Sequence, residues 1–205
     1  MRFWLLVLIL FQSSISLAQK AVTKSVAAEG VSFVSIDASN LFSVSISTGN
    51  NEKIALRTTM EGEYQNEYIN TIKEEGTTLF VGVEKRPLFN APNDKLSAHK
   101  VVSVHLEIKV PKNMDVKIYG DYTEIKATGE FGVLELITGN KLIFLDSVQG
   151  LLVNARTQNG NIILKDASGT IEANSKYGKV HREGAIFDGN TKFEINSLNG
   201  NIYIQ

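Results

Sequence analysis

Two glutamates are the residues that most invite a chemical reading. Glu172 and Glu194 occupy matching places in a repeated pattern. If their strands lie side by side, their backbones are ~4.8 Å apart. That overlaps the ~5–5.5 Å carboxylate separation of retaining glycosidases. Any ladder position on stacked strands gives the same spacing, however, and Arg156 and Lys192 are placed to neutralise the pair. No cleft-forming insertion follows either glutamate, whereas catalysis normally needs a concave pocket. Metal chemistry has less to work with. His99, His105 and His181 are widely separated and lack Asp or Glu at ligand spacing. His105 sits between Val104 and Leu106 and points to the opposite face, as a solvent-facing or packed residue. The Gly-Gly-x-Gly-x-Asp nonapeptide of calcium-binding repeats does not occur. There is no cysteine, so thiol catalysis, thiolate metal sites, disulfides and a lipidated cysteine are all excluded. Neither a Gly-x-Ser-x-Gly elbow nor a phosphate or dinucleotide loop is present. The expectation is a chain without catalytic residues, cofactor or metal.

Binding is the chemistry that remains. Ile163, His181 and Tyr203 share one outward position of the repeat and would form a partly apolar ladder on one face. Aromatic platforms suit glycans and proteins alike. The competing account of Tyr203 is that it covers a neighbouring rung. Tyr177, at a turn, is a second candidate.

These residues must be positioned by strands. The C-terminal half divides into segments Asp115–Gly132, Val133–Gly150, Leu151–Gly169, Thr170–Asn190 and Thr191–Gln205, each holding a strand, a glycine turn and a second strand. The turn glycines are Gly120, Gly139, Gly160, Gly178 and Gly200, read as supplying positive φ. Taking all five at one phase, the pattern predicts a β-solenoid whose stacked rungs share a core. Asn-Gly between alternating strands also fits an antiparallel meander. Counting from the glycines aligns Val153, Ile171 and Phe193, then Ala155, Ala173 and Ile195. Beyond the turn it aligns Ile162, Val180 and Ile202, then Leu164, Arg182 and Ile204. These positions face inward, with Arg182 as the misfit. Asp121, Asn140, Asn161, Lys179 and Asn201 follow the glycines, and stacked asparagines there would hydrogen-bond along the solenoid. The last strand, ending at Gln205, reads as an exposed edge able to pair with another copy.

Residues 19–110 read as antiparallel strands that precede the repeats and continue into 111–205 as one all-β domain. Strands are expected over Val31–Ile36, Phe42–Ile46, Ile54–Thr58, Leu79–Val83 and Val101–Val110, the last stopping at Pro111. Glu61–Asn70 is ambiguous. Lys85–Lys100, with two prolines, reads as a long loop. Ahead of all this, Arg2 and the apolar run Phe3–Phe11 form an export signal, with Ser16 and Ala18 fitting the peptidase site. Cleavage after Ala18 makes 1–18 a signal peptide. The run is well short of the ~20 residues of a membrane span, so no stable membrane insertion is expected after cleavage. The net charge is −1, and no basic run exceeds two residues. Nucleic acid, which usually demands a basic stripe, is therefore not an expected partner.

The Asn-Gly-Asn-Ile-x-Ile close of the repeat, together with the strand Val101–Val110 running into Pro111-Lys112, resembles bacterial adhesin-like families, among them the putative auto-transporter adhesin head domain. The resemblance covers most of the chain after the signal and is strongest over 101–205. It implies a β-helical fold and a surface or periplasmic life, and it carries no catalytic residue over. The expected function is an exported, non-enzymatic adhesin-like binding or structural module of the cell envelope, with an envelope or extracellular protein or glycan as partner. The alternatives are a periplasmic envelope-signalling or structural accessory, and last a polysaccharide-active enzyme.

Overall fold

A computed structural model describes residues 20–62, 68–86, 103–183 and 187–205. The expected signal peptide (1–18), His99, most of the 85–100 loop and part of the ambiguous 61–70 stretch lie outside the described residues. Within them every regular element is a strand. In chain order these are β1 (Lys20–Ala27), β2 (Phe33–Asp37), β3 (Ser43–Gly49), β4 (Lys53–Glu61), β5 (Tyr68–Glu75), β6 (Thr78–Lys85), β7 (Ser103–Pro111) and β8 (Asp115–Gly120). They continue as β9 (Glu124–Glu130), β10 (Val133–Thr138), β11 (Ile143–Gln149), β12 (Leu152–Thr157), β13 (Ile162–Lys165), β14 (Ser168–Ser175), β15 (Val180–Arg182), β16 (Phe187–Ser197) and β17 (Ile202–Ile204).

The strands form two mixed sheets. Sheet A runs β1-β4-β7-β3-β9-β11-β13-β17-β15, and sheet B runs β14-β16-β12-β10-β8-β2-β6-β5. Period-two patterning explains why they face each other. In β4, Ile54, Leu56, Thr58 and Met60 are buried while the residues between them are not. The inward residues of both sheets belong to one buried cluster, whose largest members are Phe131 and Phe193. Successive strands cross from one sheet to the other. Thr157 ends β12 in sheet B, and five residues later Ile162 opens β13 in sheet A. Asn-Gly at 159–160 therefore does not close a hairpin, and the meander reading fails. The repeats pair in parallel instead: β10 with β12, β12 with β16, β11 with β13, β13 with β17.

Two expectations about order are corrected. The strands do not pair in chain order, because β16 and β17 insert between β12/β13 and β14/β15. Phe193 lies between Val153 and Ile171, and Ile202 between Ile162 and Val180. The inward columns are those expected; their sequence of members is not. The exposed edge is consequently β14 and β15, and the strand ending near Gln205 is paired on both sides. Nor is the first half an antiparallel prelude. β2 and β3 pair in parallel with β8 and β9, extending the same stack, and only the β1-β4-β7 and β5-β6 contacts are antiparallel.

Arg182 ceases to be an anomaly in this arrangement. Its strand, β15, is the edge of sheet A, so nothing pairs beyond it. Val180 in the same strand is 37% exposed, and Arg182 is exposed, its Nη2 donating to the Ile171 carbonyl at 3.4 Å. An inward aliphatic there would face water.

The turn glycines are needed for a different reason from the one expected. None of the five lies in the left-handed region, which Gly30 and Gly76 do occupy. A Cβ on Gly160 would overlap the Lys141 carbonyl, one on Gly200 the Gly160 carbonyl, and one on Gly178 the Gly200 carbonyl. Close approach of stacked backbones is the constraint. Nor do all five share a phase. Thr138 pairs with Thr157 and Ile143 with Ile162, which places Lys141, not Gly139, opposite Gly160. Gly120 pairs with Thr138. The constant feature is a hydroxyl: Thr138, Thr157, Ser197 and Ser175 form one column. Thr157 Oγ1 donates to the Gly139 carbonyl (3.2 Å) and accepts from the Gly160 amide (3.0 Å); Ser175 repeats this with Gly200 and Gly178.

The asparagines stack, but as two ladders. Asn199 Nδ2 donates to Asn159 Oδ1 and Asn159 Nδ2 to Asn140 Oδ1, each at 2.6 Å. Separately, the Asn201 amide donates to Asn161 Oδ1 (2.8 Å) and the Lys179 amide to Asn201 Oδ1 (2.9 Å).

Candidate functional site

The register of sheet A determines what its outer face presents. Ile163 lies beside Tyr203, and Tyr203 beside His181. The three candidate residues therefore form one transverse row with Tyr203 at its centre. The His181 and Tyr203 rings stack with centroids 5.0 Å apart and planes 8° from parallel. All three are half-buried, because each covers part of its neighbour. Tyr203 also accepts at its hydroxyl from Asn201 Nδ2 at 3.3 Å. Tyr177 lies elsewhere. It follows β14, where its amide donates to the Leu198 carbonyl at 2.9 Å; it is 69% exposed, and Lys176 Nζ lies 5.0 Å from its ring centroid.

The row has a member that sequence reasoning missed. Phe144 pairs with Ile163 on one side and Lys126 on the other. It was hidden by aligning its segment on Gly139; alignment on Thr138 and Thr157 puts Phe144 in register with Ile163. The outward row thus reads Phe144, Ile163, Tyr203, His181. On the other side of Phe144 the surface sinks into a groove of about 530 Å³. Small side chains, Ser45, Ser47 and Ala55, make its floor. Arg57, Lys126 and Asp146 stand among the residues around it. An aromatic platform running into a mainly apolar groove bordered by Arg57, Lys126 and Asp146 can hold an elongated ligand that offers both apolar faces and hydrogen-bonding groups.

The carboxylate pair lies on the outer face of sheet B. Glu172 and Glu194 are direct neighbours, as expected from the repeat. Lys192 Nζ lies 2.8 Å from Glu194 and 3.8 Å from Glu172, and Asn154 Nδ2 donates to Glu194 Oε2 at 3.2 Å. The hydrogen bond from Lys192, then its charge, holds the Glu194 carboxyl below its ordinary range; the same contact raises Lys192. A glycosidase general acid needs the opposite shift. His105 is a packed residue: Nδ1 is 2.8 Å from Ser43 Oγ, and its ring meets Phe42 edge-on at 5.3 Å. Among the described residues no cluster of three metal-ligating side chains occurs, and no helix is long and apolar enough to cross a membrane.

No family model matches the chain, and no curated protein matches it. Likeness appears among solved structures. A putative cell adhesion protein from Clostridium sporogenes superposes with a TM-score of 0.63 at 15% identity, over 91% of this chain and 99% of the other. At that identity the likeness shows a shared fold. A putative adhesin from Parabacteroides merdae gives a TM-score of 0.43 at 12% identity, over 90% of this chain and 81% of its own. One from Bacteroides fragilis gives 0.32 at 10%, over 92% and 99%.

Proposed function

We propose that this protein is an exported, non-enzymatic adhesin-like module of the bacterial cell envelope, which binds an envelope or extracellular glycan or protein through the outer face of sheet A. The observation that carries this reading is the row Phe144, Ile163, Tyr203, His181 leading into the groove floored by Ser45 and Ser47. The fold shared with a protein described as a putative cell adhesion protein agrees with it. We further read the parallel ladders as rungs of a β-solenoid formed by one continuous domain, since they repeat apolar inward columns and β10, β12, β16 and β14 share a turn hydroxyl. The Arg2 and Phe3–Phe11 pattern supports export with cleavage after Ala18.

Two measurements test this. Binding of the purified protein to a printed glycan array and to intact bacterial cells is compared with that of Tyr203→Ala, His181→Ala and Phe144→Ala. Loss of at least one bound target in these variants, with melting curves retained, is the expected result. Targets that survive all three substitutions would remove the face from consideration. Digestion of intact cells by added protease addresses location: complete protection of the chain would favour a periplasmic accessory role over an external one.

A further inference from the structure

A second concave site lies on the opposite side of the molecule, on the outer face of sheet B. Across β6, β2 and β8 the outward residues form two adjoining rows: Gly82, Asp37, Tyr119 and Phe80, Ser35, Lys117. Gly82 contributes no side chain, and Ser35 is small, so the middle of this patch is a hollow of about 640 Å³. A Cβ on Gly82 would lie 3.1 Å from Thr71 Oγ1 and 3.7 Å from Asp37 Cβ, inside the hollow's floor. Two aromatic rings bound it from opposite corners. Phe80 is 42% exposed and Tyr119 38%, so both rings are open to a ligand.

The polar groups are arranged around those rings. The Asp37 carboxylate accepts from the Ser39 amide at 2.9 Å and faces the Tyr119 hydroxyl. Burial, then that carboxylate, raises the Tyr119 phenol above its ordinary range. A carboxylate offers about four acceptor positions, so Asp37 retains acceptors for a ligand. Thr71 adds a hydroxyl at the rim. Lys73, also at the rim, is engaged by Glu75, so its charge is locally matched.

From these observations we propose that the hollow over Gly82 binds a neutral sugar ring, its apolar face against Tyr119 or Phe80 and its hydroxyls on Asp37 and Thr71. The chemistry is specific to that class. A pyranose is thin, presents a C–H face to aromatic rings, and carries vicinal hydroxyls that a fixed carboxylate can accept in pairs. A peptide strand is a poorer fit, because strand addition uses the open backbone of a sheet edge, and this hollow lies on the face with β5 between it and the edge. The site is separate from the row on sheet A, and neither reading depends on the other.

Saturation-transfer NMR on the whole protein tests the proposal. The probes are the methyl glycosides of glucose, galactose, mannose and N-acetylglucosamine, with cellobiose, lactose and chitobiose. Transfer to at least one sugar is expected, strongest at ring C–H protons. Binding should weaken at least tenfold in Asp37→Ala and in at least one of Tyr119→Ala and Phe80→Ala, and should be unchanged in Tyr203→Ala. Phe80 is exposed, so Phe80→Ala keeps the test valid even where Tyr119→Ala lowers stability. The proposal is overturned by absence of transfer to every sugar, by transfer that persists in both aromatic variants, or by equal loss in Tyr203→Ala.

Discussion

Replacing Gly160 by alanine separates two physical reasons for glycine. Gly76 occupies the left-handed region at φ 61° with open space around it. Alanine there meets only the backbone penalty of an L-residue in that region, about 1–2 kcal/mol. Gly160 has an ordinary φ, but its Cβ would overlap the Lys141 carbonyl of the adjacent rung. The rungs are hydrogen-bonded strands about 4.8 Å apart and cannot separate locally without loss. The bonds at risk are Gly160 N to Thr157 Oγ1 (3.0 Å), Thr157 Oγ1 to the Gly139 carbonyl (3.2 Å) and Asn159 N to that same carbonyl (2.7 Å). Overpacking costs about 1–3 kcal/mol, and each buried donor left unmatched costs about 1–3. With one such donor lost, Gly160→Ala should destabilise by roughly 2–6 kcal/mol. For a chain of this size that lowers the melting temperature by about 4–24 °C. Urea denaturation followed by far-ultraviolet circular dichroism measures both variants. Asparagine is the cross-check, since it tolerates positive φ: Gly76→Asn should recover most of the loss seen in Gly76→Ala, and Gly160→Asn should recover none. A Gly160→Ala variant within about 1 kcal/mol of the parent would refute the close-approach argument.

Three further outcomes are expected. Phe193→Ala, which empties one of the largest fully buried positions, should cost about 3–5 kcal/mol by chemical denaturation. Arg182→Leu places an aliphatic at the open end rung, in line with Leu164 and Ile204; light scattering should show self-association that the parent lacks, and a strictly monomeric variant would remove Arg182 as an end cap. Glu194 is held below its ordinary 4.5 by Lys192, so its contribution to stability is complete above that value and vanishes as pH falls through the lower folded value. Glu194→Gln should flatten the acid limb of a stability–pH curve slightly, and an unchanged limb would show the contact to be fully screened.

Much of this fold could be read from side-chain types. Period-two alternation located most strands, and the inward columns Val153/Phe193/Ile171 and Ile162/Ile202/Val180 pair as counted. Glutamates 172 and 194 were placed side by side, and the row through Tyr203 was assembled apart from Phe144. What could not be read is the order in which the strands pair, because the inward columns are apolar save for Arg182 and nearly any neighbour satisfies them. Arg182 carried the missing information: a charge at an inward position is tolerable only where the stack ends. Phe144 was lost to an anchor chosen for its glycine, when the buried hydroxyls Thr138 and Thr157 keep the register. The hollow over Gly82 joins strands far apart in sequence, so no local pattern announces it.

The insertion of β16 and β17 also has a kinetic meaning. Asn159 reaches back 19 residues to Asn140, but 40 residues forward to its other partner, Asn199. Doubling a loop adds only about 0.6 kcal/mol of closure entropy, so the longer reach is a matter of timing more than of equilibrium. Residues 168–182 have no ladder to join until 187–204 have docked on β12 and β13. They must wait, apolar columns uncovered, for the chain that follows them. A stalled or clipped chain ending before residue 187 would therefore lose the pairing of β14 and β15 along with β16 and β17, and leave Ile171 and Ala173 as adhesive surface. Chain released progressively from one end thus meets its most aggregation-prone interval late, after most of the stack has formed.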